Sequence, residues 1–150
     1  MRLPPELRCP AHRLPLTAAP GALQCAGGCR IPVIEEIPRF VAGEGYAAAF
    51  GQQWLTYRRT QLDSETGAPI SRARRERCLG APLESLRGRS VLEAGCGAGR
   101  FTELLLAAGA RVIACDLSRA VEANRENCRQ WPEHFVCQAD ILDLPVADAV

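Results

Sequence analysis

Three glycines at alternate positions in Val91-Leu92-Glu93-Ala94-Gly95-Cys96-Gly97-Ala98-Gly99-Arg100 constrain this chain more than any other segment. A short apolar run that ends in an acid and meets such a turn is how a buried parallel strand passes sharply into a helix, with a ligand lying against the turn. Glycine lets the backbone approach a ligand closely and take positive φ without a Cβ clash.

The residues after the turn repeat the same alternation. Apolar runs at 90–94, 111–115 and 134–138 read as strands, and the segments at about 99–108 and 118–129 read as helices. That order predicts an α/β fold with a parallel sheet, right-handed crossovers and a Rossmann-like plan. Only the first three βα units are present, so the sheet is expected to be incomplete. Leu144–Val150 reads as a loop entering a fourth strand.

Two other segments precede this one. Residues 1–42 are dense in proline and turn residues, which excludes helices and leaves short strands and turns. Residues 43–89 form a helical lead-in. Aromatics at Tyr46, Phe50, Trp54 and Tyr57 share one helix face, and Ser71 is the expected N-cap of an arginine-rich helix ending at Leu79. Phe50 is expected to pack on the sheet. Tyr46, Trp54 and an arginine from 58, 59 or 72 are expected near the ligand.

Charge excludes some classes of partner. Eighteen arginines oppose seventeen acids for a net +1, with no lysine, so no global field points to nucleic acid. Arg74, Arg75 and Arg77, diluted by Glu76, read as a solvated face. No run is long enough to span a bilayer, and the first residues lack a signal-peptide apolar core, so a cytoplasmic chain is expected. Of eight cysteines, five are scattered through regular structure and read as small buried hydrophobes.

The glycine turn departs from a dinucleotide fingerprint. That fingerprint needs a third small residue where this chain has Arg100, and Glu93 would repel a pyrophosphate. An acid there suits a ligand carrying an ammonium or a sulfonium. A nicotinamide-dependent oxidoreductase is thereby disfavoured. A non-catalytic fragment or cofactor-binding half-domain stays open.

Glu93 through Gly99 resembles the first motif of class I S-adenosylmethionine-dependent methyltransferases, in the type 11-like branch. Cys115-Asp116-Leu117-Ser118 resembles their second motif, its acid 23 positions after Glu93, and Gln138-Ala139-Asp140-Ile141 resembles the third. The resemblance implies that Gly95, Gly97 and Gly99 form the floor under the methionine part of S-adenosylmethionine. It implies that Glu93 faces the cofactor's amino group, directly or through water, and that Asp116 accepts both ribose hydroxyls. Asp140 would meet the adenine amine beside Ile141, with Leu117 on the ring. Read without the resemblance, Asp116 beside Ser118 could equally cap the next helix, and Asp140 could be an ordinary loop acid. The methyl acceptor is expected to be a small molecule of unknown identity.

Cys9-Pro10-Ala11-His12 and Cys25-Ala26-Gly27-Gly28-Cys29 present two pairs of soft ligands, twelve residues apart. Such pairs either close a structural tetrahedral zinc site or form a degenerate, metal-free module. With Ile31–Phe40, they resemble a small zinc-ribbon-like module found as an activator subunit of tRNA methyltransferases and fused ahead of methyltransferase domains. His12 stands where the usual pattern has a second cysteine, and the second pair holds one extra residue.

Overall fold

The computed structural model describes residues 2–43 and 45–147. Its first part is an antiparallel sheet of four short strands: β1 (Leu16–Ala19), β2 (Ala22–Cys25), β3 (Arg30–Ile34) and β4 (Ile37–Pro38). Then come α1 (Ala48–Thr56), α2 (Asp63–Thr66) and α3 (Ile70–Leu79). The last part is β5 (Ser90–Ala94), α4 (Thr102–Ala107), β6 (Arg111–Asp116), α5 (Ala120–Cys128) and β7 (His134–Gln138). Strands β5, β6 and β7 pair in that order, all parallel. This is the expected α/β, Rossmann-like arrangement. Helix α4 starts three residues later than expected, because Gly99 has φ of +100° and no helix continues through it.

The small and large sheets share a core. Leu7, Cys9, Leu16, Leu23, Cys25 and Ile31 are buried together with Ile113, Phe135 and Cys137 of the parallel sheet. Arg39, just beyond β4, pairs in parallel with Gln138 of β7, and the Phe40 N–H donates to the Gln138 carbonyl at 2.8 Å. The edge of β7 is therefore met by another backbone, which removes part of the open-edge liability expected of a three-stranded sheet. The Arg39 guanidinium is buried and donates to Gln138 Oε1 at 3.1 Å and to Glu122 Oε1 at 3.0 Å. Burying that charge is sustainable because a carboxylate faces it.

The chain after β7 does not run away from the core. Val146 forms an antiparallel bridge with Leu7. The remainder of the expected fourth-strand entry, residues 148–150, lies outside the described residues.

The lead-in is pinned to α4. Arg100 donates from Nε to Ser71 Oγ at 2.8 Å, and Glu103 accepts from the Ser64 hydroxyl at 2.7 Å. The bulky residue that departs from a dinucleotide fingerprint thus serves as a clamp. Ser71 is not the N-cap of α3. Pro69 holds that position, and the Asp63 carboxylate accepts the Ser71 and Arg72 N–H groups at 2.9 Å each. Asp63 supersedes the serine because a carboxylate can accept two N–H donors at once. Among the scattered cysteines Cys96, Cys115, Cys128 and Cys137 are buried as expected, whereas Cys78 is exposed on α3. No helix among the described residues is long and apolar enough to cross a membrane.

If the core is continuous, a cavity in the small sheet must be felt by the large one. Leu23→Ala, at a fully buried position, is expected to cost about 3 kcal/mol. In a Trp54→Phe background it should lower the denaturation midpoint reported by fluorescence of Trp131, which packs on the cluster of Val112, Ala114 and Val136, as much as the midpoint from far-ultraviolet dichroism. A Trp131 transition that stays in place would show two independent cores.

Candidate functional site

Strands β5 and β6 end side by side, and the site is built on their C-terminal ends. The Gly95 and Cys96 N–H groups donate to the Cys115 carbonyl at 2.8 and 3.0 Å, which turns the chain tightly off β5. Asp116, the last residue of β6, holds the turn. Its Oδ2 accepts the Gly97 N–H at 2.9 Å, while Oδ1 accepts the Ser118 N–H at 2.9 Å and the Ser118 hydroxyl at 2.7 Å. Of the two readings of Asp116 left open by the sequence, the capping one is modified: Asp116 orders the turn toward α5, whose N-cap is Arg119, and it also reaches the glycine loop.

An open cleft of about 260 Å³ lies against this turn. Gly95, Asp116, Leu117, Ser118, Asp140 and Ile141 line one side, and Tyr46, Ala47, Phe50 and Trp54 line the other. Its volume is near the low end for small-ligand clefts, about 300 Å³. A Cβ on Gly95 would meet nothing within 4 Å, so that backbone faces the open space. Gly99 has a different role. A Cβ there would come within 3.3 Å of Cys128 Sγ and 3.4 Å of Asn124 Nδ2, so glycine lets the loop sit directly on α5. Asn127 of the same helix donates to the Ala98 carbonyl at 2.8 Å and the Arg58 carbonyl at 2.7 Å.

The aromatic face of the lead-in is positioned over the loop. Trp54 Nε1 lies 3.7 Å from where a Cβ on Gly97 would be. Phe50 is not packed on the sheet. It is more than half exposed and walls the cleft with Tyr46. Helix α1 leans on α5 and the glycine loop rather than on the strands, which carries Phe50 outward. None of the three arginines expected near the ligand lines the cleft. Arg59 pairs with Glu65, Arg72 pairs with Glu76 and Glu84, and Arg58 offers its carbonyl to Asn127.

Glu93 sits beneath the loop rather than on the cleft wall. It is buried, and its Oε2 accepts the Thr102 hydroxyl at 2.6 Å. Thr102 accepts from Asn124 Nδ2 at 2.8 Å, and Asn124 Oδ1 lies 2.9 Å from His134 Nε2. A single direction of donation, from His134 to Asn124 to Thr102 to Glu93, satisfies this chain. Burial pushes the Glu93 carboxyl up to about 7, and the Asp116 charge adds to it against the Thr102 bond and Arg75. Burial also lowers His134 to about 4, with Arg125 adding to the effect. Sequence reading missed Thr102, Asn124 and Asn127. Their signal is polar residues recurring on the otherwise apolar inner faces of α4 and α5.

At the far end of the cleft, Asp140 Oδ1 accepts the Leu142 N–H at 2.9 Å, which fixes a tight turn after β7. The Arg39 network reaches the same end, because Gln138 Nε2 donates to the Leu117 carbonyl at 2.8 Å.

A second constellation lies in the small sheet. The side chains of Cys9, His12, Cys25 and Cys29 converge, with all four ligand atoms within 4.8 Å of one another. His12 Nδ1 lies 3.7, 3.4 and 3.4 Å from the sulfurs of Cys9, Cys25 and Cys29. A tetrahedral zinc with Zn–S of about 2.3 Å and Zn–N of about 2.0 Å sets its S and N donors about 3.6 Å apart. The geometry and the donor chemistry fit such an ion. Burial opposes ionisation of Cys25. Even so, its thiol is lowered to about 7, because the Cys29 and Gly27 backbone, the Cys9 thiol and His12 hydrogen-bond to it.

The model of the family described as "Methyltransferase domain" matches residues 91–150. A malonyl-[acyl-carrier protein] O-methyltransferase of Pseudescherichia vulneris is 38% identical over 103 residues, 69% of this chain and 37% of that protein. A probable S-adenosylmethionine-dependent methyltransferase of Mycobacterium tuberculosis is 38% identical over 61 residues, 41% of this chain and 22% of that one. The chain therefore spans between 22% and 37% of the length of these relatives. A phosphoethanolamine N-methyltransferase of Haemonchus contortus, solved with phosphoethanolamine and S-adenosylhomocysteine, superposes with a TM-score of 0.44 at 23% identity, covering 64% of this chain and 22% of that one.

The elevated Glu93 carboxyl has a consequence for stability. The folded state holds this proton more tightly than the unfolded chain, whose value is near 4.5. The resulting stabilisation is complete below that value and is lost as pH rises toward 7, leaving a buried charge that costs about 3 kcal/mol. Glu93→Gln should therefore make the ligand-free chain more stable at pH 8 and flatten the decline between pH 5 and 7 in urea titrations. An unchanged pH profile would place the Glu93 charge in water.

Proposed function

We infer that this chain, whose residues 91–150 belong to the class I S-adenosylmethionine-dependent methyltransferases, binds that cofactor in the cleft over the glycine turn and serves methyl transfer to a small-molecule acceptor. The observation that carries the reading is the Asp116 carboxylate, which joins the glycine loop to the turn after β6 at the edge of an open cleft. When bound, S-adenosylmethionine supplies a methyl group on a positively charged sulfur, open to direct SN2 displacement by a nucleophile.

The residues fit this group. Gly95 presents bare backbone to the cleft, and Gly97 and Gly99 hold the turn that forms the floor under the methionine portion. A carboxylate offers about four lone-pair sites, and three on Asp116 are taken by Gly97 and Ser118. Oδ2 then accepts one ribose hydroxyl, and rotation of the Ser118 hydroxyl frees Oδ1 for the second. Asp140 accepts from the adenine amine through the oxygen not used by Leu142, while Leu117 and Ile141 flank the ring. Glu93, beneath the loop, supplies negative potential toward the cofactor's ammonium. That ammonium favours the ionised carboxylate, so binding near pH 6 releases a proton from Glu93.

Transfer from a sulfonium removes charge in the transition state, so alignment and exclusion of water matter more than a polar cage. Tyr46, Phe50 and Trp54 supply the apolar wall that such exclusion needs. Cys9, His12, Cys25 and Cys29 hold a structural zinc, with four protein ligands and no open position.

A second reading is favoured by one observation. The edge of β5 away from β6 carries no strand among the described residues. On that reading the chain is a cofactor-binding half-domain without its own acceptor site.

Titration calorimetry with S-adenosylhomocysteine tests the binding. The native chain should bind it and not NAD. Asp116→Ala should weaken binding by at least about tenfold, the worth of one charge-assisted hydrogen bond. Tight NAD binding, or no effect of Asp116→Ala, would overturn the assignment. Metal analysis should find about one zinc per chain. Its absence, with Cys9, Cys25 and Cys29 all titrating freely, would refute the zinc site.

A further inference from the structure

We propose that the Cys9–His12 knuckle fixes the loop carrying Asp140 through Arg13, so that metal occupancy raises the affinity of the distant cleft for the adenosyl cofactor. The proposal rests on the two readings above, of Asp140 as the adenine contact and of the cysteine–histidine set as a zinc site.

The connection is made of hydrogen bonds. Arg13 follows the ligand His12, and its N–H closes the knuckle on the Cys9 carbonyl at 2.7 Å. Its φ of 56° lies in the left-handed region, an uncommon place for a non-glycine residue, so something must hold it there. Its guanidinium does so by straddling the loop after β7. Nη1 donates to the Leu144 carbonyl at 3.1 Å and Nη2 to the Val146 carbonyl at 2.8 Å.

The backbone on the other side of the knuckle joins the same loop. The Arg8 N–H donates to the Pro145 carbonyl and the Ala147 N–H to the Glu6 carbonyl, both at 2.8 Å. Leu144 and Val146 pack against the cluster that contains Cys9 and Cys25. Between Leu144 and the cleft there is only the turn from Asp140 to Asp143, closed by the Asp143 N–H on the Asp140 carbonyl at 3.1 Å and by Leu142 on its side chain. The Asp140 carboxylate is thus set by a short rigid turn whose far end is tied to the residues that flank the metal ligands.

Without an ion, three thiols and an imidazole in contact have no strong reason to stay together. The knuckle then relaxes, Arg13 loses its orientation, and the loop samples positions in which Asp140 does not face the cleft. Ligand binding that needs one of these positions is weakened by the fraction of time the loop spends elsewhere.

The test is calorimetry with S-adenosylhomocysteine on the zinc-loaded and chelator-stripped chain, native and Asp140→Ala. Stripping is expected to weaken binding by at least about fivefold in the native chain and by less than about twofold in Asp140→Ala, where the contact it disturbs is already gone. Arg13→Ala, checked to retain its zinc, should weaken binding several-fold with the metal in place. Equal affinity with and without zinc overturns the proposal. So does an equal loss in Asp140→Ala, which would mean general loosening of the fold, and so does unaltered binding by Arg13→Ala. Failure of the zinc-loaded native chain to bind the nucleoside at all would instead refute the cofactor reading, and failure to take up zinc would refute the metal reading.

Discussion

The carboxylate of Asp116 is the interaction on which the rest of the site depends. It lies at the end of β6 and accepts hydrogen bonds from the loop that leaves β5 and from the turn that leads into α5. A glycine-rich turn has high conformational entropy when unfolded, and little in its own sequence makes it rigid. Tying Gly97 to an anion on the neighbouring strand supplies that rigidity without adding a side chain that would fill the cleft. Gly99 completes the effect from below by allowing direct contact with α5.

Around this pair the molecule is organised as two supports. The helical lead-in grips from one side, through Arg100 on Ser71, Glu103 on Ser64 and Asn127 on Arg58, and this places Trp54 over Gly97. The small N-terminal sheet grips from the other. Arg39 works through Gln138 to Leu117, and Arg13 works directly on the loop beyond Asp140. The module bearing the cysteine–histidine set is therefore joined to the parallel sheet by buried apolar area and backbone pairing, and to α5 by the part-buried Arg39–Glu122 ion pair. Salt does little to screen contacts of this kind, so their integrity should vary little with ionic strength.

Much of the architecture could be read from period and punctuation. The strands end within a residue of the positions expected from the apolar runs; β6 and β7 are buried along most of their length and so are apolar on both faces, whereas β5 leaves Ser90, Leu92 and Ala94 exposed. The cysteine–histidine pairs were legible from spacing despite the histidine and the extra residue. Two turns need only deliver donors to one point, and Gly27 leaves room for the His12 ring, which a Cβ there would meet at 2.5 Å. What sequence could not give were contacts between segments distant along the chain. Ser71 looked like a cap, but the capping anion came from Asp63, eight residues earlier. Phe50 looked like core because aromatic stripes usually are, yet α1 docks on α5 and turns it outward. Glu93 was identified as a site residue, but its link to Thr102, Asn124 and His134 spans three elements and leaves no mark in any one of them.

The central claim is that one ligand lies along the ends of β5, β6 and β7, with the glycine turn as its floor. Amide hydrogen exchange measured with and without saturating S-adenosylhomocysteine addresses it directly, because it reports position along the chain as well as binding. The account expects exchange to slow at 95–99, at 116–118 and at 139–142 together, with slowing also in α1, which walls the cleft. Slowing confined to other segments, or no change at the glycine turn under saturating nucleoside, would contradict it.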